Sequence, residues 1–84
     1  VIRGYATAAE PIVRARAIAA LGMIGAVEDV DLIVEAFSDP SPWVALRAAE
    51  ALRDAHATAA LTALARPGAP RAELARQHLE ERPA

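Results

Sequence analysis

Two histidines offer the widest range of chemistry in this chain, because imidazole serves both as a metal ligand and as a general base. His56 and His78 stand 22 residues apart in a sequence that has no cysteine. A zinc site would therefore need carboxylates such as Asp54 and Glu81 to complete it. His56 falls in a predicted turn, where a solvated histidine is ordinary, and we expect His78 to lie on the water-facing side of a terminal helix. The spacing predicts no metal site.

Serine and glycine supply the nucleophiles and phosphate-binding loops of many enzymes. Ser38 and Ser41 fall in one turn, and Ser41 precedes a proline, where it is better explained as the N-cap of a helix. The four glycines are scattered and form no glycine-rich phosphate-binding loop, and Gly22 and Gly25 are typical of a helix ending. We expect neither nucleophilic catalysis nor a bound cofactor.

Carboxylates are concentrated in one short stretch, which contains Glu28, Asp29, Asp31 and Glu35. Paired carboxylates can act as a general acid and base. The simpler interpretation is the solvated face of one amphipathic helix, with Glu28 and Asp29 in its first turn, where negative charge complements the helix dipole. The sequence therefore predicts that this segment is not an enzyme.

Length and composition exclude several classes of protein. The 84 residues suffice for one domain, and nine basic against eleven acidic residues exclude a strongly basic nucleic-acid module and a polybasic membrane anchor. No uncharged stretch is longer than residues 17–27, which fall short of the ~18 residues of a membrane-spanning helix. All nine basic residues are arginine, and lysine and asparagine are absent, which is typical of GC-rich bacterial genomes. We predict a bacterial, cytoplasmic protein, or the soluble part of a larger or membrane-tethered one.

The chain contains internal copies of itself. A shift of 31 residues aligns residues 1–22 with residues 32–53, and seven of these 22 positions are identical. The identical pairs are Ile2/Ile33, Pro11/Pro42, Val13/Val44, Arg16/Arg47, Ala17/Ala48, Ala20/Ala51 and Leu21/Leu52. A third, more diverged copy follows at a shift of 27, where Ala45, Ala48 and Leu52 recur as Ala72, Ala75 and Leu79.

Each copy has the periodicity of a helix. In the first copy, small and apolar residues follow an i, i+4, i+7, i+8, i+11 pattern: Val13, Ala17, Ala20, Leu21 and Ile24. Pro11 and Pro42 suit the first turn of a helix, where their missing N–H costs nothing. No window alternates with a period of two, so strands are not expected. We predict helices at about residues 11–25, 26–37, 41–53, 57–65 and 70–81.

The stretch from Pro11 to Gly22 resembles the first helix of a bacterial HEAT-like repeat, of the short type also found in phycocyanobilin-lyase-like proteins. Residues 25–40 resemble the second helix of such a repeat and the turn into the next. The resemblance implies an all-α fold, a short α-solenoid of antiparallel helix pairs, with about five helices plus a truncated N-terminal one.

The resemblance also sets repeat boundaries. We expect one segment over residues 1–84, with repeat units at about residues 8–38 and 39–66 and a terminal helix at 70–81. Residues 1–6 would then be the remnant of a helix from a preceding repeat. In such repeats a turn aspartate and a first-helix arginine often form a ladder. Ala8 and Ala45 interrupt this ladder here, but Arg14 and Asp39 remain and are predicted to pair across the repeat boundary.

In HEAT-like solenoids the second helices line the concave side, which commonly contacts the partner. The resemblance therefore implies a partner surface made of Glu28, Asp31, Glu35, Thr58 and Thr62. Such a surface suits a basic peptide or protein segment and repels DNA; the alternative is ordinary solubilising charge.

The lone tryptophan, Trp43, has two interpretations: it packs between repeats, or it contributes to the partner surface, since tryptophan is enriched at interface hot spots.

Two functional classes remain open at this point. The favoured one is a non-catalytic protein-interaction scaffold within a larger protein. The other is an accessory domain of an enzyme or sensor, as in the lyase-like members of the family, with its active site elsewhere in the parent chain. No nucleic acid and no direct membrane insertion are expected. Because alanine supplies little apolar area, we also expect the segment to depend on neighbouring repeats for its stability, or to self-associate through an open repeat end.

Overall fold

The computed structural model describes residues 9–80, and within this range the chain is helical and contains no β-strand. The five α-helices are α1 (Pro11–Ile24), α2 (Val30–Ala36), α3 (Pro42–Asp54), α4 (Thr58–Leu64) and α5 (Ala72–Glu80). The predicted all-α class, a short helical solenoid, is confirmed. The predicted N-terminal remnant at residues 1–6 and the end of the last helix at Glu81 lie outside the described residues.

The ends of α1 and the start of α3 follow local signals in part. Pro11 and Pro42 occupy the first turns of α1 and α3. Gly25 ends α1 in the left-handed region, at φ 71°, and its N–H donates to the Leu21 carbonyl over 3.0 Å. The prediction that Gly22 also ends α1 is wrong, because Gly22 is buried inside this helix.

The second predicted helix is divided into two parts. A single helix was expected over about residues 26–37, but Val27–Asp29 forms a turn of 3-10 helix and only then does α2 begin. Asp29 is buried, with 4% of its surface exposed. The prediction that Asp29 shares the solvated face with the neighbouring carboxylates is therefore wrong, since the tighter 3-10 turn rotates this residue inward.

Helix α3 is the centre of the fold and contacts each of the other four helices. Its main partner is α1, so the first helices of the two repeats lie side by side, as expected for a solenoid. Buried alanines on α3 let its neighbours approach closely, and larger side chains fill the layers between helices. The fully buried large side chains are Ile18, Leu21, Ile33, Phe37, Val44 and Leu52.

His78 corrects a prediction about the terminal helix. Its side chain was expected to face water, but the residue is only 6% exposed and shares the buried face of α5 with Ala75. This face packs against α3 and α4. The imidazole Nδ1 donates to the Leu74 carbonyl over 3.0 Å, so the ring enters the interior with a hydrogen-bond partner.

The turn after α3 suggests a stabilising substitution. His56 is exposed and holds φ 56°, in the left-handed region, while the Ala57 N–H donates back to the Leu52 carbonyl over 2.9 Å. This is a helix ending that favours glycine. His56→Gly is expected to raise the free energy of unfolding by about 0.5–1 kcal/mol, as measured by urea denaturation.

A control that is expected to lower the stability is available on the next helix. Ala59 is exposed within α4, so Ala59→Gly is expected to cost about 1 kcal/mol. A loss of stability in both variants would show that His56 is not strained.

Candidate protein-binding surface

Three carboxylates form the centre of the predicted partner surface, and we call Glu28, Asp31 and Glu35 the acidic stripe. All three residues are exposed. Their i, i+3, i+7 spacing places them on one side of the helical segment that runs through the 3-10 turn and α2. Successive carboxylates are separated by about 5–6 Å along this segment. Within the described residues, none of the three forms an ion pair.

The opposite side of α2 fixes the direction of the acidic stripe. Ile33 is 0% exposed and Phe37 is 1% exposed, and both belong to the central core cluster. Burial of two large apolar side chains stabilises one rotational setting of the helix, because any rotation would exchange them with carboxylates. The charged side is therefore held towards solvent by packing on the other side.

The two threonines of the predicted surface lie on α4, the second helix of the next repeat. Thr58 and Thr62 are exposed. The Thr62 hydroxyl donates to the Thr58 carbonyl over 2.8 Å, so this hydroxyl already has an acceptor within its own helix. The threonines offer a neutral polar surface next in the repeat order after the acidic stripe.

Trp43 lies on a different element, the first turn of α3. The interpretation that it packs between repeats is wrong, since 68% of the residue is exposed. The next residue, Val44, is 0% exposed and faces the core, and consecutive residues of a helix point about 100° apart. Trp43 is therefore a water-exposed aromatic side chain on a first helix, whereas the acidic stripe and the threonines lie on second helices.

A second exposed surface was missed by the sequence analysis. Met23, Ile24 and Val27 are 81%, 60% and 83% exposed, and we call them the apolar patch. They flank Gly25, where α1 ends and the segment of the acidic stripe begins. One signal was present in the sequence: at the 31-residue shift, Met23 aligns with the polar Asp54, so the apolar residue is not required by the repeat.

The predicted Arg14–Asp39 pair is confirmed and ties the two repeats together. The Arg14 guanidinium donates through Nε and Nη2 to the two Asp39 carboxylate oxygens, over 2.9 Å and 3.0 Å. The side chains are 17% and 13% exposed. A bidentate, partly buried pair of this kind is stronger than a single surface ion pair.

The same turn accepts further hydrogen bonds. The Ser41 N–H donates to Asp39 Oδ1 over 2.9 Å, whereas the predicted cap by the Ser41 side chain is not formed. Arg71, from the following repeat, donates to the carbonyls of Phe37 and Asp39 over 2.9 Å and 2.6 Å. The hydrogen bond from Arg14, followed by the smaller effects of the Ser41 N–H and the two arginine charges, holds the pKa of Asp39 below its ordinary value against the opposing effect of burial. This turn thus connects three consecutive units and fixes where α2 presents its stripe.

Other kinds of site find no support in the described part of the chain. Within residues 9–80, no three histidine, aspartate or glutamate side chains are grouped so that they could hold a metal ion. The helices over the same range are too short or too polar for any of them to cross a bilayer.

Comparison with known proteins agrees with the repeat architecture. No curated protein and no solved structure gives a significant match to this chain. The family model for HEAT repeats, in contrast, matches residues 1–82, which is almost the entire sequence. With this match and with the first helices of its repeats stacked side by side, the chain belongs to the HEAT repeat family.

Proposed function

We propose that this chain is a non-catalytic protein-interaction scaffold, whose acidic stripe binds a basic peptide or protein segment. HEAT repeats are commonly protein-interaction scaffolds, and solenoids of this kind present extended binding surfaces along successive repeats. The observation that carries the proposal is the row formed by Glu28, Asp31 and Glu35, exposed together on one side of a helix whose other side is locked into the core.

The charge of the row selects the partner. Three carboxylates at a spacing of about 5–6 Å create a local negative potential, although the whole chain carries a net charge of only −2. A partner with lysine or arginine at a similar spacing gains attraction along the whole row, while a nucleic acid is repelled. The exposed Thr58 and Thr62 extend this surface with neutral hydrogen-bonding groups.

We propose further that the chain is bacterial and that its repeats are of a short type. The exclusive use of arginine as the basic residue supports a bacterial origin. The Pro11-to-Gly22 stretch supports the short repeat type shared with phycocyanobilin-lyase-like proteins.

Charge removal tests the proposed surface. The probe is a fluorescein-labelled flexible peptide of three Gly-Ser-Arg repeats, titrated with the protein at low salt and followed by fluorescence anisotropy. The triple variant Glu28→Gln, Asp31→Asn, Glu35→Gln is expected to bind about tenfold more weakly, because each exposed charge contact contributes ~0.2–1 kcal/mol. Added salt is expected to weaken binding by the unmodified protein and to have little effect on the variant.

A matched variant separates this surface from net charge. Glu10→Gln, Asp54→Asn and Glu73→Gln also remove three exposed carboxylates and give the same net charge. This control is expected to bind nearly as well as the unmodified protein. Equal losses in both triple variants, or no loss in either, would contradict the assignment of the acidic stripe as the binding surface.

A further inference from the structure

Three of the five large apolar residues exposed on the described part of the chain form the apolar patch. Val27 directly precedes Glu28, and Ile24 is separated from Val27 by only two residues. Three residues of chain span at most ~10 Å, so the patch adjoins the first carboxylate of the acidic stripe. Exposed apolar side chains next to a row of like charges make one continuous amphipathic surface.

The order of groups along this surface is fixed by the helix. Val27, Asp31 and Glu35 follow one another at i, i+4 and i+8, so they lie along one line of the exposed side. A partner that follows this line meets apolar side chains first and carboxylates afterwards.

Spacing also favours one partner conformation. The carboxylates are separated by about 5–6 Å, which matches residues three and four apart on the surface of a helix. In an extended peptide, side chains on one face recur about every 6.6–6.8 Å, which is a wider interval than that of the row.

We propose that the partner is an amphipathic basic helix. Apolar side chains of one of its turns contact Met23, Ile24 and Val27, and arginines or lysines of the following turns contact the acidic stripe. This inference rests on the proposed function and specifies its partner. Charge complementarity decides for such a helix over a symmetric dimer through this surface, because a symmetric dimer would bring an identical row of carboxylates to it.

The test compares two further peptides with the flexible basic probe. The patterned peptide is an alanine-based helix with two leucines in its first turn, followed by three arginines at i, i+3 and i+7. The scrambled peptide has the same composition in an order that breaks this pattern. The unmodified protein is expected to bind the patterned peptide about tenfold more tightly than the scrambled one, since burial of the leucines adds to the charge contacts.

Two protein variants locate the apolar contact. The patch variant Met23→Ser, Ile24→Ser, Val27→Ser is expected to lose this tenfold preference and to bind the flexible basic peptide as before. The control variant Ile12→Ser changes an exposed apolar residue outside the patch, 66% exposed, and is expected to keep the preference. Thermal melts check that both variants remain folded, and the scrambled peptide tests the pattern without any mutation.

The outcomes distinguish this inference from the proposed function. If no peptide binds, or if the triple variant of the acidic stripe binds as tightly as the unmodified protein, both the proposed function and this inference fail. Suppose that the flexible basic peptide binds through the acidic stripe. The inference alone is then overturned if the unmodified protein does not prefer the patterned peptide to the scrambled one, or if the patch variant keeps that preference. If the patch variant instead converts a dimer to a monomer in sedimentation, with unchanged peptide affinity, a second copy occupies the patch and the inference is likewise overturned.

Discussion

Replacement of Gly22 by alanine is expected to lower the free energy of unfolding by about 2–3 kcal/mol, one of the largest effects of a single methyl group in this chain. A Cβ at this position would lie 2.5 Å from both Cα and Cβ of Ala51 and 2.9 Å from its carbonyl oxygen. Two of these three atoms belong to the backbone of α3 and cannot rotate away. The helices α1 and α3 would have to separate, and this is the main contact between repeats.

Two effects of opposite sign compete in this variant. Alanine is favoured over glycine in a helix interior by about 1 kcal/mol, so a loose contact would make Gly22→Ala stabilising. A backbone clash at 2.5 Å is expected to outweigh that gain. Urea denaturation decides the sign, and a variant as stable as the unmodified protein would contradict the close packing of the two repeats.

Gly68 provides the matched control. It has φ 84° and nothing within 4 Å of an added Cβ. Gly68→Ala therefore carries only the backbone cost of a left-handed conformation, roughly 1 kcal/mol. A smaller loss for Gly68→Ala than for Gly22→Ala would assign the difference to the contact between helices.

Substitution of Asp39 by asparagine is the second large expected effect, a loss of about 1.5–3 kcal/mol near neutral pH. The variant keeps the shape of the side chain and an oxygen for the Ser41 N–H, but removes the charge held by the bidentate Arg14 guanidinium. The Arg14 side chain is only 17% exposed, so water replaces the lost bonds incompletely.

The pH dependence of this loss has a definite sign. The native pKa of Asp39 lies below its ordinary value because of the hydrogen bond from Arg14 and the bond from the Ser41 N–H. Stability from such a group is fully present above the unfolded pKa of ~3.9 and is lost as the pH falls through the lower native pKa. The gap in unfolding free energy between the unmodified protein and Asp39→Asn should therefore be full at pH 6–7 and narrow as the pH falls below about 4.

Denaturation curves across this range test the assignment. An equal gap at pH 7 and pH 2.5 would contradict an ionised Asp39 as the origin of the effect.

Sequence reasoning identified the repeat architecture because its signals are local or periodic. The 31-residue shift aligned Pro11 with Pro42 and the buried Ala17 and Leu21 of α1 with the buried Ala48 and Leu52 of α3. Helical periodicity identified these positions, but it also placed Ile24 on the same face, and Ile24 is 60% exposed. The Arg14–Asp39 contact was also predicted, because these two residues are the remaining members of a ladder that normally pairs across the boundary between repeats. Each of these features follows from the stacking of similar units.

The errors arose where packing depends on more than one helix. Asp29 points inward because a 3-10 turn precedes α2, and His78 is buried because α5 lies against both α3 and α4. A single-helix pattern contains neither contact. The packing interpretation of Trp43 was wrong, and the apolar patch was missed, because the repeat pattern does not show which apolar residues face a neighbouring helix. Their exposure depends on the three-dimensional arrangement, although the mismatch of Met23 with Asp54 was a usable signal.

The most direct test of the account is an NMR titration of the uniformly 15N-labelled chain with the patterned basic peptide. The largest amide shift changes are expected between Met23 and Glu35, with smaller changes at Thr58 and Thr62 and almost none on α5. Saturating peptide that shifts α5 or the outer side of α3 most strongly, or that leaves the acidic stripe unchanged, would contradict the account.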